Sequence, residues 1–388
     1  MRKGWEYKKL GEVCEVVTGT TPKTNIPEYW GKGHYWVTPA ELNDTTVYID
    51  KTERQITDEA LSKTKLRLLP IGTVLLSSRA PIGKVAIANA EMYCNQGFKN
   101  CICSETIYNK YLFYFLRLKK DYLNSLGRGA TFKEISKAIV ESIKIPLPPL
   151  STQLSIVSEL DRINELIRLK KEQLKDFDNL AQSIFYEMFG DPVENERGWE
   201  VKKLGDVCTD ITDGDHMPPP KSDFGIPFIT ISDIDKETRC LNFENTFYVL
   251  EDYYNNLKEN RKPQKGDLLY TVTGSYGIPV IVKTDKKFCF QRHIALLRPN
   301  NEILSIFLCY WMQSDGVKFM ADKVATGIAQ KTIGLKSIRK FSCILPPLPL
   351  QHLFAQRIEQ IEHQKAEVQK SITDLETLLA SRMQYWFE

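Results

Sequence analysis

The densest set of chemically able side chains is Asp213-Gly214-Asp215-His216, where two carboxylates and an imidazole fall within four residues. Such a set could hold a divalent cation or move a proton. It reads equally as a polar turn, because Asp and Gly favour turns, and at the corresponding place in the first half of the chain stands Gly19-Thr20-Thr21-Pro22, which offers no ligands. A turn or recognition role is the expectation, and no metal site. His34 and His293 stand alone in the sequence, without a visible carboxylate or nucleophile. The chain lacks HExxH, a GxGxxG after a strand, a glycine loop ending in Lys-Ser or Lys-Thr, and the Asn-Pro-Pro-Tyr or Asp-Pro-Pro-Tyr run of amino-methyltransferases. No catalytic constellation shows, and a non-enzymatic chain is expected.

Any surface chemistry must be held by larger elements, and the organising one is the stretch after Ile145-Pro-Leu-Pro-Pro149. Ile156, Leu160, Ile163, Ile167, Leu174, Phe177, Ala181, Ile184 and Met188 alternate at three and four spacings, broken only by Lys170. That is a coiled-coil seam. The prolines stop the helix at one end, and Gly190 with Pro192 closes the other. At ~1.5 Å per residue the helix is roughly 58 Å long, and with a single apolar stripe it needs a partner. The partner lies about 198 residues on: after a second proline entry, Phe354, Ile358, Ile361, Val368, Ile372, Leu375, Leu379 and Trp386 repeat the seam, with Lys365 and Arg382 as exceptions.

The helix is part of a longer duplication. Gly4–Val13 returns as Gly198–Val207 with eight of ten positions identical. Gly72–Gly83 parallels Gly266–Gly277, Cys94 and Gln96 match Cys289 and Gln291, and Gly129–Ile135 matches Gly327–Ile333, keeping Lys133 and Lys331. Between these markers the content diverges: Arg79 stands where the second copy has Thr273. A shared chemical job would repeat its reactive residues. These copies share a scaffold and differ in what it presents.

The expected organisation is 1–145 as a first domain, 146–194 as proline entry and helix, 195–343 as a second domain, and 344–388 as the second entry and helix. Strands are expected at Val13–Val17, Thr73–Leu76, Val85–Ala88, Ile229–Ile231, Leu268–Val272 and Pro279–Val282. Helices are expected at Asp58–Leu66, Asn109–Leu126, Lys133–Glu141 and Ile303–Ala321. This pattern predicts α+β domains with twisted, mostly antiparallel sheets. Trp5 and Trp199, in the repeated frame, read as core anchors.

The 388 residues carry a net charge of +3, divided by segment into about +7, −4, +2 and −2, so positive charge sits in the globular parts. Acidic helices suit solvent or a protein partner better than a phosphate backbone. The start lacks an apolar signal core, no run approaches a membrane span, and nine scattered cysteines suggest reduced thiols, so a cytoplasmic protein without membrane contact is expected.

In order and duplication, the GWxxKKLG openings, Leu75–Ile87, Asn95–Lys99, Ile211–Pro220, Gly225–Ile234 and the IPLPPLxxQ and LPPLPLQ entries resemble the specificity subunits of type I restriction-modification enzymes. The resemblance covers essentially the whole chain. It implies two target-recognition domains, each reading half of a split asymmetric site in double-stranded DNA, and two helices packed antiparallel as a spacer with pseudo-two-fold symmetry. It also implies no cofactor in this chain, two methylation subunits that use S-adenosylmethionine on adenine, and restriction subunits that use ATP and Mg. On this reading the contacts to DNA come from Thr20, Thr21, Lys23, Arg79, Lys84, Lys99 and Arg128 in the first domain. In the second they come from Asp213, His216, Lys221, Thr273, Ser275, Tyr276, Arg292 and Lys331. Arg79 suits a bidentate contact to guanine and the lysines suit phosphates. The other classes open to the sequence are a coiled-coil adaptor without sequence-dependent binding and an enzyme of unrecognised type.

Overall fold

Leu150–Phe189 and Leu348–Phe387 are each one continuous helix of 40 residues. The computed structural model describes residues 5–79, 81–129, 133–214, 219–327 and 330–388. Contacts divide it into two units, residues 1–171 with 370–388, and residues 172–369. Each unit thus holds one mixed domain and a segment of both long helices.

Both helices start alike. The N–H groups of Thr152 and Gln153 bond to the Pro149 carbonyl, and those of Leu350 and Gln351 to Pro347. Gln153 is fully buried; its amide accepts from the Tyr108 N–H at 2.9 Å and donates to the carbonyls of Thr106 and Pro148 at 3.0 and 2.9 Å. Gln351 repeats the arrangement on Leu304, Glu302 and Pro346 at 2.8, 3.0 and 2.8 Å. The first helix ends at Gly190, whose φ of 77° lets its N–H return to the Tyr186 carbonyl.

Within each unit the two helical segments run antiparallel. In the first, Lys171 meets Glu376 at 2.8 Å, while Glu159, further back, meets Arg382. In the second, Lys365 bonds to Asp178 at 2.8 Å, and the rings of Phe185 and Phe189 pack on Phe354 at 5.8 and 5.3 Å. Ile156, Leu160, Ile163, Ile167, Phe354, Ile358, Ile361, Val368 and Ile372 are buried, and Leu174, Phe177, Ile184, Leu375 and Leu379 are half-buried, as the seam predicts. Lys365 and Arg382 interrupt the apolar row because each meets an acid on the facing helix. Phe185 and Phe189, outside the expected seam, are buried because this end of the helix packs on its domain as well as on its partner.

The large sheet of the first unit runs Cys14–Thr18, Lys99–Cys103, Val74–Leu76, Val85–Ala88, Tyr48–Ile49, antiparallel except for the last pair. That of the second runs Cys208–Asp213, Ile294–Pro299, Leu268–Thr271, Pro279–Ile281, all antiparallel. Both faces are covered: Val74, Leu76, Val85 and Ile87 pack towards the helices, Leu75, Ala86 and Ala88 towards the other side. This explains why these strands are continuously apolar rather than alternating. A second small sheet repeats too, Gln55–Ile56 with Trp30–Val37 and Tyr93–Cys94, then Phe247–Val249 with Ile226–Ile229 and Cys289–Phe290. In each copy the last of these pairings is parallel. A two-stranded ribbon, Glu6–Lys9 with Lys144–Leu147 and Glu200–Lys203 with Ser342–Leu345, leads into each long helix.

Four expected elements differ. The helix over 133–141 is Lys137–Ser142, because Glu134 is held in main-chain bridges and Ser136 caps the helix through the Ile139 N–H. The helix over 109–126 is two, Asn109–Leu118 and Lys120–Leu126. That over 303–321 is Ser305–Gln313 and Asp315–Val324, because Ser314 leaves the helical conformation and caps the second piece through the Val317 N–H. The strand over 229–231 lies earlier, at Ile226–Ile229, and Ile231–Asp233 is a 3-10 turn tied by Thr230 and Asp233.

Candidate nucleic-acid interface

In both domains the same backbone frame gathers three loops. The hairpin after Val74–Leu76 turns through 77–84, where the Ser77 hydroxyl donates to the Pro81 carbonyl at 2.8 Å and accepts from the Lys84 N–H at 2.9 Å. In the second domain Thr271 does the same with Ser275 and Ile278, at 2.8 and 3.0 Å. Gly83 and Gly277 close the turns at φ of 88° and 91°, a region costly for other residues. The loop before the second strand is tied in by Ser78 N–H to Gly97 carbonyl, 2.7 Å, and by Val272 N–H to His293 carbonyl, 2.9 Å. A third loop joins by main-chain bridges, Arg79 and Arg128 to Glu134, Thr273 and Thr326 to Thr332.

The side chains on this frame differ. In the first domain Arg79 Nε donates to one Glu134 oxygen at 2.9 Å, and Lys99 Nζ donates to the other at 3.0 Å and to Ser78 Oγ at 3.3 Å. Burial works against the Glu134 carboxylate, but the bonds from Lys99 and Arg79 outweigh it and hold its pKa below the ordinary range. Lys99 is 5% exposed. The expectation that it meets a phosphate is corrected: strand pairing turns it inward, where it serves Glu134. Lys84 donates to the Pro39 carbonyl at 3.2 Å, in a cleft that it shares with Arg79, Thr38 and Asn95. Thr21 donates to the Gln96 side chain and the Thr20 N–H bonds to the Cys94 carbonyl at 2.9 Å. Lys23 and Arg128 are exposed.

Sequence reasoning missed Glu134, which sits in the repeated Gly129–Ile135 run, and the support of the 20–23 loop. There Trp36 donates to the Thr20 carbonyl and Trp30 to that of Lys23, both at 3.2 Å, with the Arg54 guanidinium 3.8 Å above the Trp30 ring. His34 is not alone; Asp58 lies 2.7 Å away, an exposed pair that only the fold brings together.

In the second domain Thr332 Oγ1 donates to Thr273 Oγ1 at 3.3 Å, and Thr273 is 8% exposed. Its hydroxyl is engaged within the frame rather than projecting from it. Ser275 accepts from Lys236 at 3.0 Å, and the Tyr276 hydroxyl donates to Asp322 at 2.5 Å, which raises the phenol's pKa. Asp213 faces Arg261 at 3.4 Å, and Lys221 stacks over Phe247 at 4.8 Å. Arg292 and Lys331 are exposed. Burial, then the Arg292 charge, lowers the pKa of His293 and favours the neutral ring. His216, with Asp215, lies outside the described residues. Among the described residues no group of three or more His, Cys, Asp or Glu could hold a metal ion. Trp5 stacks on Trp386 at 6.2 Å, and Trp199 donates to the Phe189 carbonyl at 2.8 Å, each packed against its core.

A family described as the type I restriction modification DNA specificity domain matches residues 2–176 and 196–377, once for each copy of the repeat. The chain belongs to that family. The MjaIX specificity subunit of a type I restriction enzyme from Methanocaldococcus jannaschii is 29% identical over 97% of this chain and 91% of its own. The EcoKI specificity subunit of Escherichia coli is 24% identical over 96% and 85%. A chain solved in work on complex assembly and conformational transition of the type I R-M system superposes with a TM-score of 0.64 at 22% identity, covering 99% of this chain and 97% of that one. It shares the fold, two α+β domains with two long helices.

Proposed function

We propose that this chain is the DNA-recognition subunit of a type I restriction-modification complex, each domain reading one half of a split, asymmetric site. The observation that carries this is the repeated three-loop frame: the turns at 77–84 and 271–278 are built by the same hydrogen bonds and present different side chains. Two similar modules with different polar surfaces are what two different half-sites require. In the first domain Thr20, Thr21, Lys23, Arg79, Lys84 and Arg128 are the groups offered to DNA, in the second Lys221, Ser275, Tyr276, Arg292 and Lys331. The exposed cations contact phosphates and position the domain, while Arg79 reads a base edge.

The chain itself performs no chemistry in this reading and works in the cytoplasm. Two methylation subunits supply S-adenosylmethionine and adenine methylation, and restriction subunits supply ATP- and Mg-dependent steps. The long helices set the unread gap. Inserting or deleting residues around Asn164–Gln173, with a compensating change around Glu362–Ser371, changes the gap and leaves both half-sites as they were. Altered half-sites with the old gap would contradict the spacer role.

The test is selection from a random duplex library by the purified chain assembled with its methylation subunits. Enrichment of two short defined elements separated by a constant undefined gap supports the proposal. An intact complex that enriches nothing contradicts it and favours a coiled-coil adaptor.

A further inference from the structure

Arg79 is held by its Nε alone; both terminal nitrogens lack an acceptor among the described residues. This is unusual, because a carboxylate with two open oxygens pairs with an arginine side on through two parallel bonds. One Glu134 oxygen takes the Nε; the other faces Lys99, whose ammonium comes from inside the domain and is steadied by Ser78. We infer that Lys99 is a positioning residue for base reading: by drawing one oxygen of Glu134 inward it orients the carboxylate so that Arg79 is tethered through Nε, with both terminal nitrogens directed to a guanine edge. This rests on the DNA-reading role proposed above.

The second domain shows that the three residues form one unit. Arg79 corresponds to Thr273 and Glu134 to Thr332, through the matching bridges. Lys99 corresponds to Ala295: Lys99 pairs with Thr18 and Ala295 with Asp213, and each lies two residues beyond the carbonyl that ties the loop to the turn. Where the arginine is absent, the acid and the buried lysine are absent too. Two threonine hydroxyls 3.3 Å apart take their place. The lysine therefore follows the arginine and is not a requirement of the fold.

The experiment compares methylated motifs in cells expressing the methylation subunits with wild-type chain, R79A, K99M or the K99M/E134Q double variant. R79A relaxes one position of one half-site, losing roughly tenfold or more of its discrimination. K99M relaxes that same position, because the freed Glu134 oxygen captures a terminal nitrogen of Arg79. The double variant, which removes the excess charge, recovers the position. A K99M motif equal to wild type, relaxation elsewhere, or a double variant as relaxed as K99M overturns the inference. If K99M fails to accumulate, E134A, which removes the tether from its other end, takes its place. Relaxation of the Arg79 position then supports the inference, and any other motif overturns it. A wild-type chain that yields no split motif defeats the DNA-reading proposal itself, a result separate from all of these.

Discussion

The turn at 77–84 and the turn at 271–278 have the same hydroxyl knot, the same positive-φ glycine and the same strand registers, yet one carries an arginine, an acid and a buried lysine and the other carries threonines. Backbone hydrogen bonding depends little on which side chains project outward, so a frame fixed by Ser77 or Thr271 tolerates either set. A buried charge does depend on its neighbours. Lys99 needs Glu134, since without it a buried ammonium is left with Ser78 alone. The comparison separates what the fold requires, which repeats, from what recognition requires, which changes in linked groups.

The largest test of that separation lies in the frame. Q153A and Q351A each take the partner from three backbone groups, one of them buried and two part-buried, and each should destabilise its own unit by about 2–3 kcal/mol, measured by urea denaturation. A cost in one unit only would mean that the frames are not equivalent. The glycines give a smaller and sharper contrast. G277A meets only the Tyr270 hydroxyl, at an ordinary contact distance of 3.8 Å, and should cost about 1–2 kcal/mol from backbone strain. G83A should cost more, because its Cβ lies 3.1 Å from a Lys120 side-chain carbon and 3.3 Å from that residue's backbone. Equal costs would show that the strained backbone, not the packing, decides both.

The smallest effect is a pH dependence confined to the first domain. The pKa of Glu134 is depressed in the folded chain, so its stabilising contribution is fully present above the ordinary glutamate value of about 4.3 and is lost as pH falls through the lower folded value. The stability difference between wild type and E134Q should shrink across that acid window. The difference between wild type and T332V, which involves no titrating group at that position, should stay constant there. A T332V difference that moved with acid would place the titration elsewhere.

Much of the frame was legible in the sequence because it rests on periodicity and repetition. The seam from Ile156 to Leu379, the proline entries and the apolar strands follow from spacing, and the duplicated Gly4–Val13 run marks the repeat. The site was less legible. Arg79 stood out by its divergence from Thr273, but Lys99 and Glu134 are 35 positions apart and meet only through a strand register. Exposure of a lysine is a good expectation by residue type and fails where the strand turns it towards a half-buried acid. His34 looked solitary for the same reason, its partner Asp58 arriving from another element. The single helix read over 303–321 divides because Ser314, a residue compatible with a helix, finds a better bond as a cap.

The central claim, one scaffold used twice to read two different pieces of DNA, is tested most directly by single-molecule sequencing of adenine methylation. Cells expressing this chain with its cognate methylation subunit are compared with cells lacking only this chain. The account predicts a split motif with unlike halves and a fixed gap, present only when the chain is present. An assembled complex that yields no new motif, or one whose two halves are identical, would contradict it.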